Sequence, residues 1–543
     1  MPQILRRHPN TPSSKVVNPP PEGYVGDLSV DLPTLASDYA MISRIAFHPH
    51  FRLWSLLALT LVWALLYLPH LRTSPGWYGD ETLTLMIGKS VFAGNVADRA
   101  LTATFWHPSY AYQPGYAWLV GAASMAFQGD IVGARLLNAL LAYAIALLFV
   151  FGGVRVFGWT TSLFAAALFL TYSQTIIHFR WIYPHNLVAF GFLLTALFLL
   201  RKASPKSDFS AGLGLGLAAL SHPLFAHGAI AAWVCRLKRP VSWIRLAVFP
   251  ALALAATLGW TWLRLNPKPW LWEDILALGS FYNQFSQDNG SGLQSARNIF
   301  FFYSQDAFHL GAFVCALLCI RKRFYAIPVF LAVVSVLLLQ NRQNLPVFYY
   351  QAVVFLPILA LAYAGGIRHL EVRLRAAFGS RARAVPLFAL ILPAYLFVLN
   401  LPPSLSGTLV PRNQHWVTQS TQEVEAAARW INEHSVPTDL VVCHQNIGWL
   451  LRPKTTDLMQ ATAWSGRPTF TFEKLPEKAR FLFPADLLAA RYLVLGDIDQ
   501  RWTLAQPNVD WIVNVLTQEH WPVVWRGEFY LIAANPRFET LKP

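Results

Sequence analysis

Long apolar segments dominate the first four hundred residues of this 543-residue chain. Runs of about 17–22 apolar residues recur there, and each is long enough as a helix to cross a hydrocarbon core about 30 Å thick. Hydrophobic residues make up 55% of the chain and charged residues only 13%, whereas an average soluble domain has about 25% charged residues. The chain is therefore predicted to be a polytopic α-helical membrane protein.

The hydropathy pattern predicts about eleven transmembrane helices. They lie at 51–70, 131–151, 160–178, 186–200, 209–221, 223–235, 244–265, 305–320, 324–340, 349–367 and 384–401. The apolar stretch at 116–127 is short for a span, so it is predicted to be an interfacial or re-entrant helix. Ser221-His222-Pro223 divides one apolar block into two short halves, and the count of eleven requires both halves to span.

Basic residues favour an odd number of spans. Clusters of Lys and Arg occur at 201–206, 236–245, 321–323 and 368–383. With eleven spans these clusters share one side with the N-terminus, as short cytoplasmic loops do. The 71–130 loop and everything after 401 then lie on the outer face. The 30 basic against 14 acidic residues before position 402 reflect this orientation, so no nucleic-acid partner is expected.

Three regions follow from this layout. Residues 1–48 are polar and proline-rich, which predicts a disordered cytosolic tail. Residues 49–401 are predicted to form the transmembrane module, with the outer loop at 71–130. Residues 402–543 contain an amphipathic helical pattern (TQEVEAAARWINEHS) and strand-like segments such as RYLVLGD. This last region is predicted to be a soluble α/β domain on the outer face of a bacterial plasma membrane.

The acidic pair Asp80 and Glu81 in GWYGDETL lies about ten residues beyond the first predicted span. The pair precedes a helical pattern, and acidic side chains cap helix N-termini and complement the helix dipole there. Alternatively, the two carboxylates serve as a general base and as a metal or substrate contact. The local pattern leaves both interpretations open.

Three further segments carry candidate substrate-binding residues. They are WHPSYAYQPGYAWL with His107, Tyr112 and Gln113, HFRWIYPHNL with Arg180 and His185, and QNRQNLPVFYY with Arg342 and Tyr349. Interfacial tyrosines by default form an aromatic belt, and arginines there extend towards the headgroups. The functional alternative is phosphate binding, for which arginine offers a bidentate donor fork. His107 is either a structural histidine or a metal or phosphate contact.

Five motifs occur in a particular order along the chain. They are WYGDE, the His-Pro and Pro-Gly-Tyr loop, GARLLNAL, FRWIYPHNL and a final Asn535-Pro536-Arg537. In this order they resemble the GT-C superfamily of glycosyltransferases that use polyprenyl-phosphate sugars. The likeness is greatest to protein O-mannosyltransferases and the lipid A aminoarabinose transferase.

The resemblance implies a GT-C-like fold and transfer of a hexose or pentose, with inversion, from a polyprenyl-phosphate donor to a glycan, lipid or protein acceptor. Asp80 matches the catalytic base of the family, and Glu81 its companion. The family loop commonly has His-Pro-Pro-Leu-Tyr or Lys-Pro-Pro-Leu-Tyr; here either His107-Pro108 or Gln113-Pro114 is the counterpart. Arg180 and Arg342 would neutralise the leaving phosphate, and a divalent metal ion is another way to do so.

Two other classes of protein remain open at this stage. A lipid or solute transporter would place charged residues near the middle of its spans, whereas the spans here are largely uncharged and the sequence has no internal repeat. A scaffolding subunit would explain the C-terminal region but gives the acidic pair no role beyond capping. The resemblance favours the enzyme.

Overall fold

The computed structural model describes most of the chain. The described residues are 49–92, 114–265, 292–320, 324–339, 352–410, 418–419, 421–469, 472 and 474–538. The predicted cytosolic tail at 1–48 lies outside them. Up to Ser406 the described chain is almost entirely helical, because a helix satisfies the backbone hydrogen bonds of an apolar segment internally.

α-Helices account for most of the described residues of this part. In chain order they are α1 Pro49–Tyr67, α2 Gly79–Phe92, α3 Pro114–Ala126, α4 Ile131–Phe157, α5 Trp159–Thr171, α6 Ser173–His178, α7 Pro184–Leu199, α8 Pro205–Ala219, α9 Phe225–Cys235, α10 Pro240–Leu265, α11 Gly292–Ser304, α12 Ala307–Leu318, α13 Ala326–Leu339, α14 Leu356–Phe378, α15 Val385–Ala389 and α16 Ile391–Ser406. A helix or a pair of helices lies at each of the eleven predicted spans.

Length separates these helices into two groups. Among the described residues, five helical segments are long and apolar enough to cross a membrane: His50–Tyr67, Ile131–Phe157, Pro240–Trp260, Val353–Phe378 and Val385–Ser406. A sixth is added if Ala296–Ser304 and Ala307–Leu318, which meet at 113°, form one bent span. Four other apolar helices, including α5 and α7, are shorter. The number of spans therefore stays a prediction.

Breaks in the helices follow local chemistry. The predicted span 160–178 consists of α5 and α6, which are separated at Tyr172, a residue with extended backbone. Ser221-His222-Pro223 lies between α8 and α9. A proline lacks the backbone donor and disfavours helical geometry at the preceding residue. Here one helix ends at Ala219 and the next begins at Phe225.

Helices α7 and α8 cross closely at two glycines. A Cβ atom on Gly191 would come 2.3 Å from the carbonyl oxygen of Gly214, and one on Gly214 would come 2.5 Å from the carbonyl oxygen of Gly191. Any larger side chain at either position would push the helices apart. Small residues allow this kind of backbone approach between apolar helices in a membrane.

The C-terminal region contains a five-stranded sheet with flanking helices. Its elements are α17 Thr421–His434, β3 Leu440–Val442, α18 Gln445–Gly448, β4 Lys454–Thr456, α19 Leu458–Trp464, β5 Tyr492–Leu495, α20 Trp511–Gln518, β6 Val523–Arg526 and β7 Leu531–Ala534. The strand order is β4-β3-β5-β7-β6. Strands β4, β3 and β5 are parallel, whereas β7 pairs antiparallel with β5 and β6. The apolar runs of β3 and β5 are buried throughout, as expected for parallel strands covered on both faces.

A second, two-stranded sheet joins the helical part to this C-terminal unit. Strand β1 (Trp77–Tyr78) pairs antiparallel with β2 (Thr418–Gln419). One apolar cluster continues across the junction, from Trp77 and Leu85 to Val441 and Ile447. The segment that carries the acidic pair is therefore held directly by the C-terminal unit. The boundaries of the three predicted regions remain predictions.

Candidate functional site

The acidic pair lies in the first turn of α2, which begins at Gly79. Asp80 is exposed, whereas the side chain of Glu81 is fully buried. Successive residues of a helix point about 100° apart because one turn takes 3.6 residues. The two adjacent carboxylates therefore lie in different surroundings, one at the surface and one in the protein interior.

Glu81 forms a buried bidentate ion pair with Arg135 of α4. Nε and Nη2 of Arg135 donate to Oε1 and Oε2 of Glu81, each at 2.7 Å, and neither side chain is exposed. Removing two charges from water costs several kcal/mol for each ion, and only excellent geometry offsets that cost. The parallel guanidinium and carboxylate supply this geometry.

Arg135 also holds the loop that precedes the acidic pair. Its Nη1 donates to the backbone oxygens of Leu71 and Pro75, each at 3.0 Å. In the same loop, Nε1 of Trp77 donates to the backbone oxygen of Arg72 at 2.8 Å. One buried guanidinium therefore connects the end of the first helical region to the turn that presents Asp80.

The segment between α6 and α7 packs onto this loop. Nε1 of Trp181 donates to the backbone oxygen of Gly76 at 2.9 Å, and the backbone N–H of Ile182 donates to Oε1 of Glu81 at 3.2 Å. The structure thus brings together WYGDE, GARLLNAL and FRWIYPHNL, which are far apart in the sequence. Arg180 and Glu81, two of the predicted site residues, belong to one packed region.

Arg180 is buried with most of its hydrogen-bonding capacity unused. One nitrogen, Nη2, donates to the backbone oxygen of Pro69. Its Nε and Nη1 have no partner, although the side chain is fully buried. No carboxylate pairs with it among the described residues, and Arg135 is close enough to repel it electrostatically. A buried cation of this kind is costly unless an anion joins it.

A hydrogen-bond network centred on two asparagine amides holds the segment that contains Arg180. Asn186 Nδ2 donates to Asn138 Oδ1 at 2.7 Å and to the backbone oxygens of His178 and Trp181, each at 3.1 Å. Tyr116 donates to the same Asn138 oxygen at 2.8 Å. The network fixes α3, α4 and the start of α7 relative to one another, so the positions of Arg180 and Arg135 are set by the fold.

The C-terminal unit contacts the other side of the Asp80 turn. A Cβ atom on Gly79 would come 2.8 Å from Cε1 of His444, so only glycine fits there. Thr82 Oγ1 donates to Oδ1 of Asn446 at 3.4 Å. Burial lowers the pKa of His444 to about 4, so its imidazole is neutral at physiological pH. The acidic turn therefore lies between the helical part and the sheet unit.

The other predicted site residues fall into two groups. His185 is buried and its ring lies 4.5 Å from that of His222, centroid to centroid. Five residues lie outside the described part of the chain: His107, Tyr112, Gln113, Arg342 and Tyr349. Their roles stay predictions.

Sequence reasoning assigned no role to Arg135, Asn138 or Asn186. The available signal was a basic residue and two amides inside apolar helical segments, where polar side chains need a partner. Within the described ranges, no group of three or more His, Cys, Asp or Glu side chains is arranged to hold a metal ion. The divalent metal consequently stays an untested expectation, and no step of the chemistry below depends on it.

Solved structures provide the comparison with known proteins. The chain is similar to the crystal structure of ArnT from Cupriavidus metallidurans bound to undecaprenyl phosphate, with a TM-score of 0.61 and 15% identity over 89% of this chain and 97% of that one. The apo form of the same protein gives a TM-score of 0.60 over the same shares of both chains, also at 15% identity. An oligosaccharyltransferase from Archaeoglobus fulgidus matches more weakly, with a TM-score of 0.46, 16% identity and 90% and 74% coverage. No protein-family model matches the sequence, and no curated protein matches it.

The fold of the chain thus resembles that of ArnT, in agreement with the likeness that the motifs predicted. The ArnT comparison spans nearly the whole of both chains, so it includes the helical part and the C-terminal unit. At 15% identity the likeness establishes the fold and carries no residue roles.

Proposed function

We propose that the protein is an integral membrane glycosyltransferase that moves a sugar from a polyprenyl-phosphate donor to an acceptor at the outer membrane face. The observation that carries this proposal is the pairing of charges at the site. Two buried guanidiniums, Arg135 and Arg180, accompany one buried carboxylate, Glu81, beside the exposed Asp80. The surplus cation fits a phosphate, and the exposed carboxylate fits a proton acceptor.

Arg180 is the proposed contact for the lipid-linked phosphate. Its Nε and Nη1 have no partner, so each can donate a charge-assisted hydrogen bond to an oxygen of a phosphate. The phosphate would supply the negative charge that the buried side chain lacks. As the bond to the sugar breaks, charge grows on the phosphate oxygen, and a prepositioned cation stabilises that change.

Asp80 is the proposed general base. An acceptor hydroxyl attacks the anomeric carbon, its oxygen forms the new glycosidic bond, and its proton passes to the carboxylate of Asp80. The bond between the anomeric carbon and the phosphate oxygen breaks, and its electron pair leaves with the polyprenyl phosphate. A single displacement of this kind inverts the anomeric centre, and a positioned base contributes about 10²–10⁴-fold to such a reaction.

Glu81 is proposed to position this base and does not itself exchange a proton with substrate. Its carboxylate is already occupied by Arg135 and by the N–H of Ile182. It lies in the same helical turn as Asp80, so the ion pair sets the direction of the neighbouring side chain. The contacts of Gly79 and Thr82 with the sheet unit support the same turn from the other side.

The test is a transfer assay with the full-length protein in membranes. Undecaprenyl phosphate carrying a labelled hexose or a labelled pentose serves as donor, and sugar release from the lipid is measured. Asp80→Asn is expected to slow release by about 10²–10⁴-fold while leaving the apparent melting temperature unchanged, because Asp80 is exposed.

Asp510→Asn is the matched control, since Asp510 is also an exposed acid at the start of a helix, α20. This variant is expected to retain full release. If Asp80→Asn releases sugar as fast as the wild type, the assignment of the base is wrong. If the wild type releases no sugar from any such donor, glycosyl transfer itself is refuted.

A further inference from the structure

A cleft of about 450 Å³ lies beside α17, at the junction between the first helical loop and the C-terminal unit. Its polar lining consists of Arg72, Glu425, Arg429, Asn432, Glu433 and Arg452. The three arginines come from three separate segments: the loop after α1, α17 itself and the loop after α18. Their convergence results from tertiary packing and not from one basic stretch of sequence.

Arg72 is the fixed cation of this cleft. Its Nε donates to Asp130 Oδ2 at 3.1 Å, and its Nη1 donates to Glu425 Oε1. Its backbone oxygen accepts from Trp77 Nε1 at 2.8 Å. Arg72 therefore connects the cleft to the loop that presents the acidic turn of α2.

Arg429 has acidic neighbours that it does not pair with. Glu425 and Glu433 lie four residues before and after it on α17, which is the spacing of helical ion pairs. In the described structure, however, Glu425 pairs with Arg72, and neither glutamate forms a salt bridge with Arg429. Arg429 is exposed and lines the cleft, and no ion pair holds its guanidinium among the described residues.

Arg452 is held over the same cleft by Asn432. The backbone N–H of Arg452 donates to Asn432 Oδ1 at 2.7 Å, and Asn432 Nδ2 donates to the backbone oxygen of Leu450 at 3.0 Å. This clamp ties the 450–452 segment to α17. No salt bridge of Arg452 occurs among the residues that the structure describes, and its side chain is exposed. The cleft is thus lined by two guanidiniums and one carboxylate, Glu433, for which the described residues show no salt bridge.

We propose that this cleft binds a phosphate or carboxylate group of the acceptor, so that the acceptor of the reaction is an anionic molecule. That the bound molecule is the acceptor rests on the proposed glycosyl transfer. That the cleft binds an anion does not depend on that proposal. Arg429 and Arg452 would each donate to the oxyanion, which is the bidentate chemistry that distinguishes arginine from lysine. Arg72 lines the cleft and belongs to the loop that leads to Asp80, so an acceptor bound there would reach towards the base.

The test measures binding and needs no turnover. The full-length protein is placed in nanodiscs of neutral phosphatidylcholine, and its affinities for glucose 1-phosphate and for glucose are compared by calorimetry. The wild type is expected to bind the phosphate form at least about tenfold more tightly, as one charge-assisted contact implies. The double variant Arg429→Gln/Arg452→Gln is expected to lose this preference.

Arg501→Gln/Arg526→Gln is the matched control. It also replaces two exposed arginines of the C-terminal unit by glutamine, but outside the cleft. It is expected to keep the preference for the phosphate form. Melting curves check that both double variants are folded, and Arg452→Lys is expected to lie between wild type and double variant, because lysine keeps the charge but lacks the fork.

Two results would overturn the proposal. Equal affinity of the wild type for both sugars shows that the cleft does not select an anion. Loss of sugar-phosphate binding when phosphatidylglycerol replaces part of the phosphatidylcholine, with no such effect on the double variant, assigns the cleft to a lipid headgroup. Since neither measurement involves sugar release, both are independent of the Asp80→Asn experiment.

Discussion

Glu81–Arg135 and Asp208–Arg236 are two buried ion pairs of the helical region, and they differ in what surrounds them. In the second pair, Arg236 Nε donates to Asp208 Oδ1 at 3.1 Å, and its two terminal nitrogens donate to the backbone oxygens of Leu199 and Arg201 at 3.3 and 3.4 Å. The other Asp208 oxygen accepts from a serine of α10 at 2.7 Å. Every nitrogen of this guanidinium has a partner.

Near the Glu81–Arg135 pair, by contrast, some buried guanidinium nitrogens have no hydrogen-bond partner. The exposed Asp80 precedes Glu81, and Arg180 lies close by with Nε and Nη1 unpartnered. Burying an unsatisfied polar group costs about 1–3 kcal/mol, and more when it is charged. The guanidinium of Arg180 carries this cost, whereas that of Arg236 does not. The guanidinium with unused donors is therefore the one in the region of the proposed base, Asp80.

The largest effect on stability is expected from breaking either pair. Glu81→Gln and Asp208→Asn each leave an uncompensated buried guanidinium, so each should lower the free energy of unfolding by about 3–5 kcal/mol. Apparent melting temperatures in detergent measure this loss. At a temperature where both variants are folded, only Glu81→Gln should also slow sugar release. If Asp208→Asn slows sugar release as much as Glu81→Gln does, the proposed functional difference between the two ion pairs is wrong.

A sharper comparison replaces the two arginines themselves. Arg180→Gln removes a poorly satisfied charge, so the melting temperature should not fall, while the KM for the lipid donor should rise by about ten- to a hundredfold. Arg236→Gln removes a fully satisfied charge, so the protein should be destabilised while its remaining folded fraction keeps the wild-type KM. Donor titrations on folded protein measure both. A stabilising role for Arg180 would appear instead as a large drop in melting temperature.

Two buried carboxyl groups of the C-terminal unit differ from Glu81 and Asp208 in having no salt bridge among the described residues. They are Asp457 and Asp499, and burial raises the pKa of each to about 7. In the unfolded chain each titrates near 3.8. Between these values the folded state binds more protons, so stability is fully present below about pH 4 for these groups and is lost as the pH rises through 7.

The expected result is a melting temperature that falls as the pH rises from about 4 to about 7 and levels off above about pH 7. Asp457→Asn should flatten the profile, because an amide does not ionise. A wild-type profile that rises with pH, and that Asp457→Asn leaves unchanged, would contradict the assignment.

The smallest effect is expected at an exposed pair. Arg501 Nε donates to Asp497 Oδ1 at 2.6 Å, but the arginine side chain is 66% exposed. Solvent and salt screen such pairs, so Arg501→Gln should change stability by less than about 1 kcal/mol. Chemical denaturation of wild type and variant measures this change in the free energy of unfolding. The value can then be compared with the losses measured for the two buried ion pairs.

Much of the helical architecture was predictable because hydrophobicity acts locally. A helix satisfies its own backbone in an apolar medium, so each apolar run marked a helix whatever its neighbours were. The break at Ser221-His222-Pro223 was visible for the same reason, since proline acts on its own turn. Among the site residues, Asp80 and Arg180 stood out as charges at the ends of apolar segments.

The rest depended on contacts between distant parts of the chain. Nothing local distinguishes Asp80 from Glu81, yet one is exposed and the other is buried, because the partner of Glu81 is Arg135, more than fifty residues away. The pairing of β1 with β2 joins positions some 340 residues apart. Such pairings depend on which surfaces meet, and local propensity carries no record of that.

The sequence by itself determined a helical membrane protein with an acidic pair at the end of its first apolar segment. Only the tertiary structure decided that Glu81 is paired, that Arg180 is buried without a full set of partners, and that Arg72, Arg429 and Arg452 line one cleft. The physical reason is that burial sets the energetic weight of a charge, and burial is a property of the packed chain.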